Sequence, residues 1–138
     1  MSPREVGASD VLKTAMSLVR SAQKSVRVTM QAVEEIEHPL PREYFLLLRE
    51  KINNGVKVIR IGFGGTDDFE KIKEQVGFEN PNYTFRMTKE TDYRRMLLVD
   101  DSKLLFAKTD ANGRHVFYTE DHSLIKKYTE YFETKLDD

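Results

Sequence analysis

Along this chain the apolar positions alternate between two spacings, and the changes of spacing mark its elements. Val11, Leu12, Ala15, Leu18, Val19 and Ala22 recur every three to four residues behind Ser9 and Asp10, either of which suits a helix cap, so an amphipathic helix is predicted over residues 10 to 23. Ser25-Val26-Arg27-Val28-Thr29 then alternates with period two and gives a first strand. Gln31 to Pro41, with the acidic pair Glu34-Glu35 and prolines at both 39 and 41, reads as a loop or frayed turn. Pro41 suits the first turn of the next helix, whose apolar face (Tyr44, Phe45, Leu47, Leu48, Ile52) runs to Asn53-Asn54-Gly55, with the glycine as its stop.

Val56 to Phe63 is a nearly continuous apolar run, as a strand covered on both faces requires. Its link to the first strand through a helix implies a right-handed crossover and a parallel pair. Gly64-Gly65 is a loop, and Thr66 or Asp67 caps a helix through about Val76. Phe78 to Tyr83 holds the turn residues Asn80, Pro81 and Asn82, and Thr84 to Met87 makes a short strand. Arg95 to Val99 and Lys103 to Lys108 form a hairpin with an acidic tip at Asp100 and Asp101, and Asp110 to Gly113 turns into an edge strand at His115 to Tyr118. A helix from about Asp121, carrying Leu124, Ile125, Tyr128, Tyr131, Phe132 and Leu136 at helical spacing, closes the chain. The order αβαβαββββα predicts an α/β fold, a mixed β-sheet flanked by helices on both faces, as a single domain over residues 1–138 with no internal repeat or linker.

Charge narrows the partners. Lys plus Arg number 22 against 23 Asp plus Glu, so a net charge of -1 gives no global pull toward nucleic acid or anionic lipid, and such a partner must be met by a local patch. The absence of cysteine removes disulfides, thiolate zinc sites and a cysteine nucleophile together, and three scattered histidines (His38, His115, His122) offer no metal set. The opening MSPREVGASD lacks the apolar segment of a signal peptide, and no run approaches a membrane span, so a cytoplasmic protein without a membrane partner is expected.

Two short motifs invite chemistry and fail on context. The acidic pair Asp100-Asp101 after an apolar strand suggests a receiver domain, yet too little chain follows to supply that domain's later strands. Gly62-Phe63-Gly64-Gly65-Thr66 stands where a phosphate-cradling loop would, but Asp67 and Asp68 already satisfy the helix dipole and would repel phosphate, and no lysine follows as a Walker motif needs.

The stretch Asp92 to Asp110, DYRRMLLVDDSKLLFAKTD, is the informative one. Together with the element order it resembles one half of the phospholipase D superfamily, whose HxKx4D signature is followed by Gly-Ser-x-Asn on a similar strand and hairpin. With the signature Asp at Asp100, Tyr93 falls at the His position and Arg95 at the Lys position, and Ala107, Lys108 and Asp110 occupy the Gly, Ser and Asn positions without a gap. The helix, the strand SVRV and the run NNGVKVIRI are similar to the family's opening βαβ unit.

The resemblance implies phosphoryl transfer through a phosphohistidine, with Lys and Asn holding phosphate oxygens, but this chain has lost that nucleophile. A tyrosine phenol with an unperturbed pKa near 10 is a poor replacement at neutral pH. The expectation is therefore a non-catalytic, cofactor-free binding or regulatory module. Its degenerate ligand site would be Tyr93, Arg95, Asp100, Lys108 and Asp110, and its ligand a small anion or a sugar. Degenerate domains of this type occur in sugar-sensing archaeal regulators of the TrmB family; no DNA-reading helix-turn-helix is evident here, so a regulator would need a partner chain. The family packs two halves about a pseudo-two-fold axis, which implies a homodimer that buries Tyr93 and Met96 beside the axis. The alternatives are a divergent phosphodiesterase or nuclease using Tyr93, and a nucleic-acid-binding accessory protein using Arg94, Arg95, Lys103 and Lys108.

Overall fold

A computed structural model describes residues 3–77 and 79–137. It is an α/β structure on one seven-stranded mixed sheet. The strands are β1 (Arg4–Val6), β2 (Ser25–Gln31), β3 (Lys57–Phe63), β4 (Tyr83–Thr88), β5 (Met96–Val99), β6 (Lys103–Asp110) and β7 (Gly113–Thr119), in the order β1-β7-β6-β5-β2-β3-β4. The helices are α1 (Val11–Ser21), α2 (Ala32–Glu37), α3 (Arg42–Asn53), α4 (Phe69–Val76) and α5 (His122–Leu136). β2, β3 and β4 run parallel, and every other pairing is antiparallel.

Strand periodicity sorts the core into two layers. Val26, Val58, Leu97, Val99 and Leu105 point to α1 and α3, where Leu18, Val19, Tyr44, Leu48 and Ile52 meet them. The alternate positions, Ile61, Phe63, Met96, Leu98, Leu104 and Phe106, point to α5 and its Ile125, Tyr128, Tyr131 and Phe132. A smaller cluster, Met30, Ala32 and Ile72, joins α2 and α4 on the same face as α1 and α3, at the carboxyl end of β2. Fully burying a side chain such as Leu98 contributes about 1.5–3 kcal/mol, so these layers supply most of the driving force.

Several expectations are corrected. Residues 32–37 are helical, because Ala32 and Ile36 lie one turn apart and dock on the sheet, a gain that outweighs the flanking prolines. Arg4–Val6 pairs with β7, so β7 is an inner strand and not an edge. Asp10 stands at the N-cap of α1 without a side-chain capping bond. A 3-10 turn, Thr66–Asp68, precedes α4, putting the cap position at Asp68. The Thr66 side chain, Met1 and Ser2 of the opening segment, and Phe78 of the expected 78–83 turn lie outside the described structure. Gly55 does stop α3, at φ 93°.

Arg60 departs furthest from its pattern. It lies on the α3 side of β3 at 2% exposure, between the rings of Phe45 and Phe85. Its Nη1 donates to the Tyr83 hydroxyl at 3.2 Å and its Nη2 to Gln75 Oε1 at 2.8 Å. Gln75 in turn donates to Glu35 at 3.4 Å. The buried cation is thus satisfied by neutral groups and ring faces, with a carboxylate one residue further on.

Candidate anion-binding crevice

The sheet divides at β2: β3 and β4 follow on one side, while the antiparallel strands β5, β6 and β7 lie on the other. A strand-order switch of this kind opens a crevice at the carboxyl end of the strand where it occurs. Gln31 ends β2 there, and beside it lies an opening of about 680 Å3 lined by Tyr93, Arg95, Lys108, Arg114 and, from α5, Lys127.

The segment that delivers Tyr93 and Arg95 has no regular structure of its own and is pinned from two elements. The Tyr131 hydroxyl donates to the Asp92 carbonyl at 2.9 Å and accepts from the Arg94 N–H at 2.8 Å. Thr29 Oγ1 donates to the Arg94 carbonyl at 2.6 Å and accepts from the Met96 N–H at 3.0 Å. Lys135 ties down the approach through Glu90 at 2.9 Å and Asp92 at 2.8 Å. Tyr131 and Thr29 are therefore positioning residues, and neither lies in the signature.

The crevice carries an internal counter-charge. Glu34, on α2, accepts two hydrogen bonds from Arg114, each 2.7 Å, and a longer one of 3.4 Å from Arg95. The Arg114 bonds outweigh the effect of burial and, with the nearby Arg95 charge, hold the Glu34 carboxyl below its usual range. Arg94 is exposed, its guanidinium 4.8 Å from the centre of the Tyr131 ring. The Tyr93 hydroxyl is buried with no hydrogen-bond partner among the described residues, while its ring packs on Phe63 with centroids 5.2 Å apart. Burial raises the phenol's pKa, and the adjacent Arg95 charge only opposes that rise. A phenol that holds its proton at neutral pH can donate a hydrogen bond to an anion and is poorly placed to attack one.

Of the five residues expected at the site, Tyr93, Arg95 and Lys108 line the crevice together. Asp110 lies at the same end of β6 but turns away, accepting from the Asn112 N–H at 2.8 Å and contacting His115 Nε2 at 3.2 Å. Asp100 is at the opposite end of β5, roughly 16 Å along the chain from Arg95. There its carboxylate accepts from the backbone N–H groups of Gln23, Lys24 and Ser25 at 2.7–3.2 Å, and it holds φ 55° at the hairpin tip. It clamps the α1–β2 loop to the hairpin and cannot touch a ligand bound at Arg95. Met96, expected beside a dimer axis, is 2% exposed within the chain's own core, under α5. Arg114 and Glu34 were not foreseen; they lie 80 residues apart and neither has a local motif. Among the described residues no cluster of three or more His, Asp or Glu side chains could hold a metal ion, and no helix is long and apolar enough to cross a membrane.

No family model and no curated protein matches this sequence. Solved structures do match the fold. TrmBL2, described as an archaeal chromatin protein with a novel mode of DNA binding, is similar at a TM-score of 0.75 and 14% identity, over 99% of this chain and 53% of its own. A phosphatidylserine synthase from Haemophilus influenzae Rd KW20 is similar at a TM-score of 0.54 and 13% identity, over 98% of this chain and 38% of its own. The chain spans about half the length of the first structure and less of the second, and at these identities what it shares with them is the fold.

Proposed function

We propose that residues 1–138 are a single phospholipase D-like half that has lost catalysis and binds a small phosphate-bearing anion in the crevice. The observation that carries this reading is the convergence of Arg95, Lys108, Arg114 and Lys127 on one opening, with the protonated Tyr93 hydroxyl where the superfamily has its nucleophile. The similarity to a phosphatidylserine synthase, itself of that superfamily, supports the fold half of the argument. An anion fits better than a sugar, because the charged side chains on the walls, Arg94, Arg95, Lys108, Arg114 and Lys127, are all cationic donors. A two-fold pairing of such halves, at a cytoplasmic location, completes the reading. Its support is the single half-site in this chain, and Arg94, exposed at the crevice mouth, would lie close to the pairing face.

The test is calorimetric titration with inorganic phosphate and pyrophosphate, with bis(p-nitrophenyl) phosphate hydrolysis in parallel. Saturable binding that Arg95→Glu abolishes, without turnover, is the expected result. Turnover lost in Tyr93→Phe would make the chain an enzyme, and no phosphate binding at low salt would end the proposal. Sedimentation equilibrium tests the pairing: a single-chain mass throughout the micromolar range contradicts it.

One observation favours a second reading, nucleic acid as the anion: the similar structure of TrmBL2 belongs to a DNA-binding chromatin protein. Arg94, Lys108 and Lys127 would then contact backbone phosphates. A duplex affinity falling steeply with salt, by about one log unit per log unit of salt for each phosphate contacted, would select this reading over a small-anion site.

A further inference from the structure

The central strand of a sheet covered by helices on both faces should be buried along its length, yet Val28, in the middle of β2, is only half-buried. It forms part of the floor of a second opening, of about 280 Å3, on the α1–α3 face of the sheet. Ala8, Leu12 and Ala15 form one rim, and Leu40 and Tyr44 the other, over β2, β5 and β6. Leu97, Leu105 and Val116 complete an apolar floor.

Two polar groups at the α2 end of this opening are unspent. Glu35 is 4% exposed, and only its Oε2 is engaged, by Gln75 at 3.4 Å. Tyr44 is also 4% exposed, and its hydroxyl makes no hydrogen bond with another described residue. Burial pushes the Tyr44 phenol up to about 12, which leaves it a neutral donor and acceptor, and burial also raises Glu35. Thr29, by contrast, is committed to Arg94 and Met96. A carboxylate oxygen and a phenol hydroxyl without partners among the described residues thus face one end of an otherwise apolar opening, where a ligand hydroxyl can reach both.

We infer that this opening is a second ligand site, which takes a compact, mainly apolar, uncharged molecule ending in one hydroxyl that donates to Glu35 and accepts from Tyr44. Size follows from volume: a dry cavity of about 150 Å3 holds benzene, so this one holds about ten to twelve non-hydrogen atoms. Neutrality follows from the surroundings. Arg60 and Arg95 both lie near enough to act on the Glu35 charge, so a cationic head gains little from the carboxylate, while for an anionic head Arg95, the cation on this wall, is already paired with Glu34 at 3.4 Å and Glu35 stands at the head position. Sugars are excluded by the floor, where each hydroxyl left without a partner costs about 1–3 kcal/mol. The site is independent of the phosphate reading, although Arg95 and Ala107 belong to the walls of both openings.

The probe is 2-naphthol, a bicyclic arene with one hydroxyl, titrated into the intact protein and followed by amide and methyl NMR. Saturable shifts at Val28, Tyr44 and Val116 are expected, with naphthalene and the Glu35→Leu variant each binding about ten-fold more weakly and 2-naphthoate not at all. Ala15→Phe, at a half-exposed helix position, fills the opening and should abolish binding while the thermal melt stays cooperative; if that variant unfolds, Ala8→Phe blocks the same rim. No saturation up to the solubility limit overturns the inference. So does binding that survives both filling variants, or binding seen only when 2-naphthol dissociates a dimer, since that would make the opening a chain-to-chain interface. Phosphate affinity plays no part in these outcomes.

Discussion

Replacing Glu34 with Gln keeps the shape of the crevice and removes its internal counter-charge. In the native protein Arg114 donates two 2.7 Å hydrogen bonds to this carboxylate and Arg95 a third of 3.4 Å, so an incoming phosphate must share both guanidiniums with Glu34. Two negative charges about 5.5 Å apart, at an effective dielectric of about 40 for a half-open crevice, repel by about 1.5 kcal/mol. Glu34→Gln should therefore tighten phosphate binding about ten-fold. It should also lower stability, by about 0.5–1 kcal/mol, because the Glu34 and Arg114 side chains are 25% and 42% exposed and water screens the pair. The assay is phosphate calorimetry at two salt concentrations, with urea melts of both proteins and the exposed Glu37→Gln as control. An affinity changed by less than two-fold, or weakened, would mean that phosphate does not sit on Arg95 and Arg114. Acid supplies the same perturbation without mutation. The Glu34 carboxyl is held below its ordinary 4.5, so the pair's stabilisation is intact above that pH and disappears as pH falls through the lower folded value. Sulfate, which keeps its charge there, should then bind more tightly.

Asp100→Ala removes the acceptor for three backbone N–H groups and places alanine at φ 55°, and urea melts should show a loss of about 2 kcal/mol. Burial opposes ionisation of Asp100, but the N–H groups of Ser25, Lys24 and Gln23 prevail and lower its pKa; the wild type's advantage should hold above about pH 4 and vanish as pH drops through the folded value. Tyr131→Phe frees the Asp92 carbonyl and the Arg94 N–H, so phosphate affinity should fall several-fold with the α5 core retained, as calorimetry and near-ultraviolet dichroism would report. Leu98→Ala, at a fully buried position, should cost about 2–5 kcal/mol in denaturant melts, and Ile59→Ala, only half-buried on the same face, clearly less.

What the chain discloses locally and what it does not separate along a physical line. The strand at 57–63, the acidic hairpin and the closing helix were legible because each declares itself within about ten residues, by apolar periodicity or by turn chemistry. That Arg95 and Lys108 come to one edge followed from hairpin register, since Met96 pairs with Phe106 and the Ala107 N–H donates to the Arg95 carbonyl, whereas Tyr93, beyond the paired strand, is placed by Tyr131 and Thr29. Gln31 to Pro41 reads as a loop or frayed turn because Pro39, Pro41 and an acidic pair dominate a window too short for a helical average, although Ala32 and Ile36 mark one face of α2. Arg60 lay hidden in an apolar run, where pattern can suggest burial of the strand but not which neutral groups will satisfy a cation.

The polar architecture of the site belongs wholly to the second class. Glu34 with Arg114, Tyr131 with Asp92 and Arg94, and Thr29 with Met96 are pairings across 37 to 80 residues, each fixed only once the sheet order is known. That distribution bears on what holds the crevice in shape. If Tyr93, Arg95 and Lys108 alone formed the crevice, the segment carrying the first two would be a loop free to drift. Instead the segment at 92–96 is held by groups from β2 and α5, and its cation is balanced by a carboxylate from α2, so the shape and charge of the crevice depend on residues outside that segment. Selection on binding would act on Thr29, Glu34, Arg114 and Tyr131 as strongly as on Arg95. Substituting Arg114, which no motif marks, should therefore weaken phosphate binding as much as substituting Arg95 does. A crevice that tolerated Arg114→Ala but not Arg95→Ala would return the site to its signature and refute this account of it.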